Sequence, residues 1–264
     1  MKNIDYEKRF YREWHQSKDK LRLNVCIDES DIDIIMDPVD SLQDVISIVY
    51  DWVEGFRKDI FRIADLIPDF ITTHKPLDLD EYQVNCLCAE AEILNPLWIK
   101  KMIKGSKACH VGPMATVAGV TSQLIVKNII NKYGNINIIA ENGGDLYINT
   151  YETLKVAIYA GQSKLSNQLA IQLTKDTGSI GICTSSATFG HSHSYGKGDA
   201  VVVMSEDAAI ADAAATYLCN LLHTEDDITS VLEKGKLLPD VSGIVMIISE
   251  YIGVWGNINL VKSA

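Results

Sequence analysis

The stretch Ile136 to Asn149, INIIAENGGDLYIN, decides how the chain is read. Two short runs rich in Ile flank Gly143 and Gly144, and paired glycines between strand-like runs supply the positive φ of a tight hairpin turn. From Ser41 to this point the apolar residues follow a helical period, and downstream they fall into short runs separated by turn residues. The sequence therefore predicts a run of helices before this point and a mainly antiparallel sheet after it, an α/β chain of the α+β type in which helices pack on antiparallel sheets.

Working outward toward the N-terminus, 114–132 reads as a helix with Gly134 as its stop. Residues 86–103 read as a helix kinked or split at Pro96, since proline removes a helical hydrogen bond. From Ser41 to Ile67 the residues Val45, Val49, Trp52, Phe56, Ile60 and Ile63 recur at three- and four-residue steps, which predicts one core-facing helix ending near Pro68. Residues 20–37, KLRLNVCIDESDIDIIMD, alternate apolar and polar positions around an acidic turn and predict a β-hairpin. Toward the C-terminus, strands are expected at 136–140, 145–149, 154–159, 167–173, 179–184 and 199–204, then a helix at 207–222 and a closing strand pair at 243–249 and 256–262. No repeat, low-complexity tract or proline-rich linker divides the 264 residues, so the expectation is a single domain over 1–264 with two layers.

Composition narrows the function classes. With 47% hydrophobic and 22% charged residues the chain is far from the composition of disorder. The net charge of -11 repels polyanions, and the densest basic stretch, Ile99 to Lys107 (IKKMIKGSK), is short; nucleic acid is not an expected partner. The six cysteines lack the paired spacings that hold zinc and suggest reduced thiols. The opening MKNIDYEKRFYREW is charged throughout, and the greasy region Gly243–Gly256 is broken by Ser249 and Glu250. A cytoplasmic protein without a membrane partner is expected.

Four segments hold the residues suited to chemistry. In IADAAATYL, Asp212 and Thr216 stand four apart, so on a helix both oxygens share a face and form a partial cage for Mg²⁺. Spacing alone favours an alanine-rich helix packed tightly on a sheet, since i,i+4 polar pairs are common. In IIAENGGDLYI, Glu141, Asn142 and Asp145 cluster with Gly143 and Gly144 at a turn and can address a ligand, although a plain hairpin explains the glycines. The segment Gly181 to Ala200, GICTSSATFGHSHSYGKGDA, concentrates hydroxyls, two histidines and glycines after a β-run, as site loops do. Ser185, Ser186 and Ser192 are its candidate ligand contacts. Cys183 and His191 are its candidate catalytic pair, a thiolate beside an imidazole, and His191 with His193 is a conceivable metal pair. A cysteine ending a strand is more often a small buried hydrophobe. In HVGPMATVAG, Gly112, Met114, Ala115 and Gly119 surround a helix start whose free N–H groups suit an anion.

Taken in this order, VGPMATVAG, ENGGD, CTSSATFGHS and ADAAAT resemble a branch of the ApbE-like superfamily, and the resemblance runs nearly the whole chain to GIVMIISEYIGVWGNINLV. The better-known branch consists of FAD:protein FMN transferases, which use Mg²⁺ to cleave FAD and attach FMN to a threonine of an acceptor protein. The resemblance implies an α/β fold of antiparallel sheets and helices, a metal pair at Asp212 and Thr216, a ligand-facing glycine pair at Gly143 and Gly144, and an active-site histidine most like His191. It implies Mg²⁺ and FAD or FMN as cofactors, a phosphate-bearing flavin nucleotide as ligand and an acceptor protein as partner. Where the transferases carry a lysine before the glycine of their helix-start motif, this chain has Ala118 before Gly119, a departure that points away from FAD cleavage. The resemblance also suggests sulfide assimilation in anaerobes, with Cys183 as a sulfur-bearing thiol. Three functions follow as expectations: a transferase of the flavin type, a sulfur-handling protein, or a non-catalytic flavin-binding or assembly protein.

Overall fold

The structure, a computed structural model, describes residues 19–28, 30–189 and 194–263. The first expected hairpin forms as β1 (Leu21–Ile27) and β2 (Ser30–Met36), in register from Leu21 opposite Met36 to Ile27 opposite Ser30. Helix α1 (Leu42–Leu66) starts where the Ser41 side chain accepts the Asp44 N–H, satisfying one of the orphan donors of a helix start. Its buried stripe holds Val45, Val49, Val53, Phe56, Ile60 and Ile63. Val53 takes the core position expected of Trp52, whose larger ring sits at the helix edge, 36% exposed.

A single turn, α2 (Asp69–Thr72), follows Pro68. Pro96 marks a complete break rather than a kink: α3 (Glu81–Glu90) opens on an Asp80–Gln83 capping box, and α4 (Leu97–Ala108) begins after the proline. The next helix starts as a 3₁₀ turn, Pro113–Thr116, and continues as α5 (Val117–Tyr133) until Gly134 at φ 81° stops it. Then come β3 (Ile138–Asn142), β4 (Asp145–Thr150), β5 (Leu154–Ala157), β6 (Leu169–Leu173), β7 (Gly178–Ser185) and β8 (Ala200–Ser205). Helices α6 (Ala208–Leu221) and α7 (Asp227–Gly235) precede β9 (Gly243–Ile248), β10 (Tyr251–Gly256) and β11 (Leu260–Lys262).

Eight strands form one sheet in the order β1-β2-β3-β4-β7-β8-β9-β10, every neighbour antiparallel. The remaining three form a small sheet, β11-β6-β5. The closing strand pair differs from expectation. The chain reverses at Ser249 and Glu250, so 243–248 pairs with 251–256, while 260–262 crosses to the small sheet beside β6. Ser249 adopts φ 56° and Gly256 φ 92°, and these left-handed residues set both reversals. Helix α7 was not anticipated; its Ile228 and Leu232 pack where Gly253 of β10 leaves room.

There are three layers, not two. On β8, Val201 and Val203 join the α6 side of the sheet, whereas Ala200, Val202 and Met204 pack with Ile158, Ile171 and Leu173 under the small sheet. Strands β8 and β9 are therefore buried at every position, because both their faces are covered. Helices α1 to α5 all lie between β2 and β3, and a polar clamp closes that excursion. Asp37 N–H donates to the Asn137 carbonyl at 2.9 Å, and the Asn137 N–H and Nδ2 donate to Asp37 Oδ2 at 2.8 and 2.9 Å. Lys20 Nζ donates to the other Asp37 oxygen at 2.5 Å. Among the described residues no single helix is long and apolar enough to cross a membrane.

Candidate functional site

The β3–β4 hairpin turns on Gly143 and Gly144, at φ 69° and 100°, with Asn142 opposite Asp145. Two positive φ values in a two-residue loop are the type I′ pattern, and they account for both glycines. Glu141 Oε1 accepts the Gly144 N–H at 2.6 Å, which spends one carboxylate oxygen on the turn itself. Asp145, the first residue of β4, points with Tyr147 toward the helices, and the register with β7 sets Cys183 beside it on the same face.

Three elements meet over that spot. Ser122 of α5 donates to the Asp145 carbonyl at 2.8 Å, and the Thr184 N–H donates to Asp145 Oδ1 at 3.2 Å. Asp212, in the second turn of α6, accepts the Gly119 N–H on Oδ2 at 2.9 Å, and the Ala118 N–H also bonds to it. The Thr116 side chain does not cap α5, so the carboxylate of another helix satisfies the orphan donors of this start and meets the positive end of its dipole.

Glu141, Asp145 and Asp212 are each 7–8% exposed. Burial pushes the Asp212 carboxyl up to about 7, against the pull of the Gly119 and Ala118 N–H groups. Asp145 lies well above the ordinary carboxylate range, first because it is buried and second because Asp212 is a like charge nearby; the Thr184 N–H and the Cys183 thiol pull the other way. Among the described residues neither aspartate is paired with a lysine or arginine. This pairing of Asp145 with Asp212 was missed in the sequence, where each was assigned to a separate motif. Both carboxylates together offer a negative, oxygen-rich spot next to a helix N-terminus.

Several expected site residues are spent on packing instead. A Cβ on Gly119 would lie 2.5 Å from the Ala208 carbonyl oxygen, and one on Gly112 would lie 1.9 Å from the Thr73 carbonyl oxygen. Both glycines permit backbone contacts, so neither is free to admit a ligand at its Cα. Ser186 Oγ accepts the N–H groups of Thr188 and Phe189 and organises its own loop. Ser185 is buried, 2.8 Å from Ser194 Oγ, near Cys219 rather than Asp212. Met114, Ala115, Asn142 and Thr216 are half-buried; Thr216 stands one helical turn beyond Asp212. Residues His191, Ser192 and His193 lie outside the described residues.

Cys183 lies in the core beside Asp145. Its thiol is fully buried, faces the Ala208 carbonyl at 3.7 Å, and is pushed well above the usual thiol range, first by burial and then by the charges of Asp145 and Asp212. That environment disfavours the thiolate that a sulfur relay needs. The missed close contacts had one visible signal. Gly181 sits inside a strand, and a Cβ there would lie 2.9 Å from Ala208 Cα; a glycine within a strand often marks such an approach.

The fold is that of the ApbE proteins. The ApbE protein of Thermotoga maritima superposes with a TM-score of 0.57 at 12% identity, covering 89% of this chain and 96% of that one. The flavin transferase ApbE of Vibrio cholerae gives 0.51 at 12% identity over the same shares. The family described as AbpE bacteria matches residues 12–240, and the chain belongs to this ApbE-like family. A UPF0280 protein of Methanocaldococcus jannaschii is 36% identical over 213 residues, 78% of this chain and 81% of its own length. One of Methanothermobacter thermautotrophicus is 35% identical over 211 residues, 78% and 77% of the two chains.

Proposed function

We propose that this protein binds a flavin nucleotide or a close relative through Mg²⁺, at Asp212 and Thr216 with Asp145 alongside, and acts as a transferase of the flavin type. The observation that carries this reading is the buried Asp145–Asp212 pair beside the start of α5. Two like charges in a poorly solvated place call for a compensating cation, and an all-oxygen donor set suits a hard divalent ion that keeps water or ligand phosphates in its shell. Mg²⁺, when bound, supplies positive charge that neutralises and polarises phosphate oxygens.

The chain's own groups then position the ligand. The N–H groups of Ala118 and Gly119 fix the Asp212 carboxylate, and the Thr184 N–H fixes Asp145. The Gly143–Gly144 turn gives a wall without side chains, since a Cβ at Gly144 would meet nothing closer than 3.9 Å. His191 is proposed as the proton-transfer group on the family resemblance. Ala118 stands where the transferases carry lysine, and its N–H holds Asp212 instead of a cation reaching the phosphates.

The test is incubation of the pure protein with FAD and Mg²⁺, chromatography for released AMP, and thermal shift for binding. Mg²⁺ should raise Tm more with FAD present than without, and Asp212→Asn should abolish that increment and the AMP. Unchanged behaviour of Asp212→Asn removes the metal site. Mg²⁺-dependent binding with no AMP would remove the transferase step and keep the binding function.

A further inference from the structure

His74 belongs to none of the segments singled out above, and Tyr195 lies in the Gly181–Ala200 stretch without being one of its candidate contacts; together they lie at the far end of the helix that carries Asp212. The Tyr195 side chain is on the surface, 63% exposed, but its surroundings are fixed. Its N–H donates to Asn220 Oδ1 at 2.8 Å. The following residue, Gly196, sits so close to α6 that a Cβ would lie 1.9 Å from the Cys219 carbonyl oxygen and 2.7 Å from that of Leu222. The Lys197 N–H then donates to the Leu222 carbonyl at 2.7 Å.

The ring itself meets the His74 ring in a T-shaped contact, centroids 5.7 Å apart and planes at 85°. His74 is anchored in turn, because Gly112 packs directly on the Thr73–His74 backbone. The ring pair thus spans from the end of α6 to the 3₁₀ turn that leads into α5. Asp212, Thr216 and Asn220 follow one another at four-residue steps on α6, so they form one stripe. At about 1.5 Å rise per residue the stripe is about 12 Å long, with the carboxylates at one end and the tethered Tyr195 at the other.

A surface tyrosine that serves only solubility needs neither a backbone tether nor a ring brace. An aromatic face held in place, while most of the residue stays open to solvent, suits a flat heterocycle, with which stacking is favourable and tolerant of ring type. We propose that Tyr195, braced by His74 and tied to α6 through Asn220, is the platform on which the heterocyclic ring of the nucleotide stacks while its phosphates lie toward Thr216 and Asp212. This rests on the reading of the site as a Mg²⁺-dependent nucleotide site.

The experiment is calorimetric titration of the whole chain with FMN, ADP and inorganic pyrophosphate, each with Mg²⁺. Tyr195→Ala should weaken FMN or ADP binding by on the order of tenfold or more and leave pyrophosphate binding unchanged. Tyr195→Phe, which keeps the ring, should bind like the parent. Equal affinity of Tyr195→Ala and parent for both FMN and ADP overturns the platform while pyrophosphate binding keeps the nucleotide reading alive. A parallel loss for pyrophosphate also overturns it, since the residue would then serve the fold. A parent that binds none of the three probes removes the nucleotide reading and the platform with it.

Discussion

Asp212 does two jobs with one carboxylate. It caps α5 through Gly119 and Ala118, and it faces Asp145 across a buried gap. Its folded pKa of about 7 stands above the ordinary carboxylate value of about 3.9, so the folded state holds this proton more tightly than the unfolded chain. The associated stability is fully present below about pH 4 and is lost as pH rises through about 7. Asp145, also raised, acts in the same direction. In metal-free buffer, urea unfolding should therefore show stability falling by a few kcal/mol from about pH 5 to about pH 8. Asp212→Asn keeps an oxygen for the Gly119 N–H and has no charge to bury, so its profile should be much flatter. A parent profile already flat over that range would show that the pair is solvated. The four-residue spacing put Asp212 and Thr216 on one face of a helix, as α6 has them, while their reading as a metal pair came from the family resemblance. Asp145 was legible as a turn residue only, since its approach to Asp212 depends on how β4 aligns with β7 and on where α6 settles.

At the scale of elements, α6 explains the alanine run that the sequence left ambiguous. Gly105 of α4, Gly119 of α5 and Gly181 of β7 all abut Ala208 or Ala209, each so closely that a Cβ would lie 2.5–2.9 Å from the nearest atom. Three elements crowd onto the first turn of one helix, and only small residues on both sides permit it. Gly119→Ala should cost about 1–3 kcal/mol, as overpacking does. Gly55 in the middle of α1 has nothing within 4 Å of its Cβ position, so Gly55→Ala should stabilise by about 0.5–1 kcal/mol. Denaturant midpoints of the two variants would decide it, and equal effects would mean that the contacts around α6 relax freely. Helix and strand positions were legible from periodicity, including the break at Pro96. Helix α7 was not, because its nine residues are too few to separate a helix from a short apolar run.

At the scale of the molecule, the main sheet is sandwiched between the helices and the small sheet, and the cysteines report on how tightly. Cys26 and Cys86 are exposed, while Cys88, Cys109, Cys183 and Cys219 are buried. Limited iodoacetamide labelling followed by mass spectrometry should modify Cys26 and Cys86 first. Cys183 should lag by on the order of 10³-fold or more, because it reacts only when the structure opens. Rapid native labelling of Cys183 would restore the sulfur-handling alternative. The antiparallel sheet and the run of helices between the first hairpin and β3 could be read from the switch in period near residue 136. The third layer could not, because β5, β6 and β11 look like any other short strands until the register shows which sheet each joins.

The Asp37–Asn137 clamp has a topological meaning. It stands at the neck of a closed loop of about a hundred residues that contains five helices, so everything between β2 and β3 behaves as one very long hairpin connection. The entropy of closing such a loop grows only logarithmically, about 0.6 kcal/mol for each doubling of its length. Segments can therefore be inserted in or trimmed from the connections between α1 and α5 at little thermodynamic cost to the pairing of β2 with β3. The burden falls on kinetics, because strands this distant in sequence find one another slowly, and the helices that will later roof Asp145 must first stay out of their way.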